Sequence, residues 1–90
     1  MNVVEQYNLT LQIEVLKEQS AETLDRLCKL VDRSGTSDCI EVIKAYSHIV
    51  NTELYLAISI NELEALKSDM AELESNIKES LAQISHGVSD

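Results

Sequence analysis

The chain has no proline, no tryptophan, no phenylalanine and only two glycines, Gly35 and Gly87. Without proline, nothing forbids long helices. With glycine this scarce and one of the two near the tail, a glycine-rich phosphate loop is ruled out. The aromatic residues are three tyrosines, too few to build a core on bulky rings. Positive charge is also scarce, seven bases against sixteen acids for a formal net charge of −9. Such a surface repels phosphate backbones and anionic headgroups, so neither nucleic acid nor membrane insertion is expected. No apolar run approaches the roughly 20 residues of a membrane span, and no export signal is evident. The expected compartment is the cytoplasm, or the nucleus if the cell is eukaryotic. Cysteine is limited to Cys28 and Cys39, which flank the only obvious turn. Reduced thiols are the expectation for a chain that is not exported.

Leucine, isoleucine, valine and alanine dominate the apolar residues, which make up 44% of the chain. That is the usual filling of helix seams, and too much for a disordered tail. At 90 residues the chain is at most one domain, small enough to need a partner to complete its core. Charge is uneven: residues 1–33 hold six acids and four bases, residues 34–90 ten and three. A partner of the second part is expected to be more basic than this chain.

The apolar pattern is helical throughout. Leu9, Ile13, Leu16, Leu24, Leu27, Leu30 and Val31 recur at spacings that paint one face of a helix over about 3–33, expected to pack within the chain. Ser20 and Thr23 interrupt that face. Gly35 sits among hydroxyl and carboxylate residues and marks a turn at 34–38. Asp38 followed by Glu41 resembles a capping box for a second helix from about 39 to 85, with a short tail over 86–90. That helix carries a heptad seam of Val42, Ile49, Leu56, Leu63, Met70, Ile77 and Ile84, widened by Ile60, Leu66 and Leu73. An uninterrupted second helix would be about 70 Å long at 1.5 Å per residue and would overhang the first. The fold class expected is therefore all-α, an antiparallel hairpin with a long second helix, assembling as a coiled coil or bundle.

Leu54, Leu56, Ile58 and Ile60 alternate with smaller or polar residues as a half-buried strand would. The heptad runs straight through them and no pairing edge exists, so helix is preferred.

Residues suited to chemistry do not converge. Ala45 precedes His48, and Gln83 precedes His86, at the spacing where a di-metal bundle requires glutamate. Cys28, Cys39, His48 and His86 are too scattered for zinc. Adjacent Ser47 and His48 point in different directions on a helix, as do Ser85 and His86. No catalytic residue, cofactor or metal is expected. The acidic run Glu62, Glu64, Asp69, Glu72, Glu74 and Glu79 reads as a solvated face, and Asn8-Leu9-Thr10 as a chance match to a glycosylation acceptor.

The function expected is that of a non-enzymatic coiled-coil subunit of a hetero-oligomeric complex, an adaptor or scaffold bound to other helical proteins through the heptad seam. The alternatives are a small acidic chaperone, like those of secretion systems, masking a client's helix, and a self-assembling homodimeric scaffold.

Overall fold

The computed structural model describes residues 2–34 and 39–88, with the side chains of 34 and 84–88 excepted. The expected turn residues Gly35 and Asp38 lie outside the described residues, as does the side chain of Ile84. Helix α1 spans Val3–Ser34. Asn2 starts it, its side-chain carbonyl accepting the amide of Glu5 at 2.8 Å while its amide group donates to the Glu5 carboxylate at 3.3 Å. Helix α2 spans Ile40–His48. A π-helical segment, Ile49–Glu53, and the short α3, Leu54–Leu56, continue it without a break. Helix α4 spans Ile60–Val88.

The chain is all-α, and α1 forms a hairpin with the helical segment after it. The expected single helix over 39–85 is interrupted, however, at Ala57, which is extended (φ −63°, ψ 119°). Neither glycine nor proline is needed for this break, because Ser59 and Glu62 cap a new helix. The Ser59 hydroxyl accepts the Glu62 amide at 3.2 Å, and the Glu62 carboxylate accepts the Ile58 amide at 3.1 Å. Folding back gives a three-rod bundle of 58 × 18 × 16 Å. The middle rod runs antiparallel to α1 and α4. At one end Leu9 packs with Leu54 and Leu63, and at the other Leu27 and Val31 pack with Cys39 and Ile77.

Hydrophobic burial decides for the folded-back form. A straight second helix would leave much of its seam in water, whereas here Leu63, Met70 and Ile77 are all buried. Each such side chain stabilises by roughly 1.5–3 kcal/mol, against about 1 kcal/mol for each backbone bond given up at the corner.

The seam expected to face another chain therefore lies largely within this one. Ile49, Leu63, Met70 and Ile77 are core, with Val42, Leu66 and Leu73 packed at its edge. Leu56 leaves the seam and is 71% exposed. The π-helical segment is the reason: its wider turn puts one extra residue into the helix and shifts the phase beyond it. After Ile49 and Val50 the buried positions are Leu54 and Ala57, not Leu56. Ile60, at the start of α4, is also exposed.

On α1, Leu9, Leu27 and Val31 are buried and Ile13, Leu16 and Leu24 partly so. Leu30 is exposed, because Val31 takes the inward position beside it. Glu41 contacts Lys44 at 3.5 Å, and α2 has no side-chain cap at Cys39.

Ser20 and Thr23, which break the apolar face of α1, have a reason to be there. The ring of Tyr46 is buried in the core with its hydroxyl beside both side chains. Burial raises the Tyr46 pKa above the ordinary 10.0; the two hydroxyls act the other way, and Glu74 adds to the rise. Since the folded state favours the neutral phenol, its stabilisation is complete below pH 10 and is lost as pH rises through the higher folded value. Tyr46→Phe is expected to lower stability by about 1 kcal/mol at pH 7. The difference from the unaltered chain should shrink in urea melts above pH 10, and parallel curves there would refute this assignment. Leu63→Asp should unfold the isolated chain in circular dichroism, since Leu63 is completely buried.

Candidate docking surface

Helix α1 has two characters along its outer side. Facing away from Leu9, Ile13, Leu16 and Ser20 lie Val4, Tyr7, Leu11 and Val15, exposed by 67, 63, 46 and 53%. Their spacing of three or four residues makes a second apolar stripe. Beyond Val15 the same side continues as Glu18, Glu22, Asp25 and Lys29, and Asp25 pairs with Lys29 at 2.8 Å. The first half of α1 is thus apolar on two sides, and its second half on one.

The corner between α3 and α4 lies at the same end of the bundle. Tyr55, Leu56, Ile58 and Ile60 are all exposed there. Tyr55 and Ile58 line a groove against Gln6, Thr10 and Glu14 of α1. The Lys17 ammonium sits 4.6 Å from the centre of the Tyr55 ring, holding the corner to α1. Interaction with the Tyr55 hydroxyl, aided by the charge of Glu14, raises the Lys17 pKa above the ordinary lysine value.

Chemistry is otherwise sparse. Among the described residues, no group of three or more His, Cys, Asp or Glu side chains gathers to hold a metal. No described helix is long and apolar enough to cross a membrane. Of the residues expected to bind a partner, Leu56 and Ile60 are on the surface, while Val42, Ile49, Leu63, Leu66, Met70, Leu73 and Ile77 contribute to the core or its edge. The outer stripe was readable as Val4, Tyr7, Leu11 and Val15 but is masked by the stronger pattern beginning at Leu9.

An all-helical bundle with an exposed apolar end offers a surface for contact with another protein. The chain belongs to the bacterial epsilon antitoxin family, whose model matches residues 5–80. It is similar to the antitoxin PezA of Streptococcus pneumoniae serotype 4 (strain ATCC BAA-334 / TIGR4), with 36% identity over 70 residues. That match covers 71% of this chain and 44% of the relative, so the chain spans less than half of the relative's length. No solved structure matches. A bacterial family leaves no place for the nuclear alternative, and antitoxin is a class the sequence reading did not reach.

The stripe and corner also separate packing from surface. Tyr7→Ala and Ile58→Ser should each change the melting temperature little, because both side chains are largely in water. A fall in Tm as large as that caused by Leu27→Ala would show that they pack inside the fold.

Proposed function

We propose that the chain is a toxin-binding antitoxin module: a cytoplasmic, non-enzymatic protein that neutralises a toxin by covering part of its surface. The observation that carries this reading is the outer side of α1, apolar from Val4 to Val15 and charged beyond. A helix needs one apolar face to join its own bundle, and a second such face suits contact with another protein. Tyr7 lies within the stripe, and tyrosine is among the residues that most often anchor interfaces. The corner residues Leu56, Ile58 and Ile60 extend the apolar end. The net charge of −9 favours a toxin with a basic contact face.

Membership of the epsilon antitoxin family supports a toxin as the partner. Of the earlier alternatives, one-to-one masking of a client is the nearest to this mode. An assembly subunit using the whole heptad seam fits less well, because that seam is engaged within the chain.

The test is growth rescue. The tagged chain is purified from its native cell, and each stoichiometric companion is expressed alone in a test strain and then together with the chain. A companion that arrests growth alone and is silenced by co-expression is the toxin. Leu11→Asp should abolish rescue while leaving the helical spectrum intact, with affinity reduced by about 100-fold or more for a charge forced into a buried contact. Glu22→Ala, on the charged half of the same side, should rescue normally. If Leu11→Asp rescues as well as the unaltered chain, the outer stripe is not the toxin-binding face.

A further inference from the structure

A shallow hollow of about 290 Å³ opens between the end of the middle rod and the first turns of α4, lined by Glu53, Leu56, Ala57, Glu62, Ala65 and Leu66. Four of these residues are apolar and give it its floor, and the other two, Glu53 and Glu62, are acidic residues at its border. Glu53 is only loosely engaged within the chain: its contact is the His48 imidazole at 3.7 Å, which forms an ion pair only when that ring is protonated. Glu62 accepts the Ile58 amide through one carboxylate oxygen, and a carboxylate has further lone pairs to offer. An apolar hollow bordered by two acidic residues matches a side chain that is hydrocarbon along its stem and cationic at its head.

We infer that this hollow receives an arginine side chain of the toxin, with its methylenes against Leu56, Ala65 and Leu66 and its guanidinium between Glu53 and Glu62. Charge complementarity carries the assignment. The chain has a formal charge of −9, and a fork of several donors can engage both carboxylates at once, which a lysine ammonium does less well. A purely apolar side chain would fill the floor but leave the carboxylates partly desolvated and unpaired. The inference rests on the toxin-binding reading and deepens it. It gives the contact a second, polar anchor at the corner, distinct from the apolar stripe on α1.

The experiment measures binding of the full chain to the toxin recovered by growth rescue. Glu53→Lys reverses the charge of one bordering residue, Ala65→Phe fills the floor from an exposed helical position, and Glu53→Gln removes charge with little change of shape. Glu62 is left unaltered because it also caps α4. Circular dichroism melts confirm that each variant is folded. Glu53→Lys and Ala65→Phe should raise Kd by about tenfold or more, and Glu53→Gln by less with a flatter salt dependence. Among toxin variants carrying single surface arginine-to-glutamate changes, one should recover binding to Glu53→Lys. Unchanged Kd values for both Glu53→Lys and Ala65→Phe, with Leu11→Asp still disruptive, would overturn the hollow and leave the toxin-binding reading standing. If the unaltered chain binds no toxin, both fall together.

Discussion

The structure depends on the reversal of the chain at Ala57–Ser59. Two short hydrogen-bonded contacts, Ser59 to the Glu62 amide and Glu62 to the Ile58 amide, start α4 in the opposite direction. The seam of α4 beyond Ile60 is then turned inward. Leu63, Met70 and Ile77 meet α1 and the middle rod, so a chain of only 90 residues assembles a core from its own three rods. The exposed end follows from the same reversal. A corner must expose some side chains, and the sequence makes these Leu56, Ile58 and Ile60. The exposed corner and the core are thus consequences of one turn.

Apolar seams alone tolerate sliding, because one leucine layer resembles the next. The Tyr46 hydroxyl removes that freedom. It finds Ser20 and Thr23 at only one relative height of α1 and the middle rod, and slipping by one helical turn would leave a buried hydroxyl without partners. The same alignment fixes where Tyr55 stands against α1, and hence the shape of the groove beside Gln6 and Thr10.

The helical class, the extent of α1 and its inward face could be read directly from residue spacing. The inward direction of the second seam could not. A heptad such as Leu63, Met70 and Ile77 indicates that a face will be buried but not whether the burying helices belong to the same chain. The reversal itself was written as Ser59 and Glu62, a serine with glutamate three residues later, but the absence of glycine and proline drew the eye past it. Asp38 and Glu41 fit the same signature, with Asp38 outside the described residues. Leu56 could not be placed from sequence at all, because nothing in Ile49–Glu53 announces a π-helical turn. The candidate docking face was legible only once α1 was known to be covered on one side, which left the exposed Val4, Tyr7, Leu11 and Val15 stripe without an internal use.

The extra residue in Ile49–Glu53 acts as a phase shifter. The written heptad remains in step from Val42 to Ile77 as though the helix were continuous, while the folded chain breaks step once at the wide turn and again at the corner. One sequence therefore spells two arrangements of the same apolar residues, a straight rod and a folded one, and the phase shift weights the folded one. Shortening the segment by a single residue would do more than trim a turn. It would let the turn close as ordinary α-helix, with Leu54 four residues after Ile49 and still inward, and the heptad would lose its step in the sequence while the core kept its place in the fold.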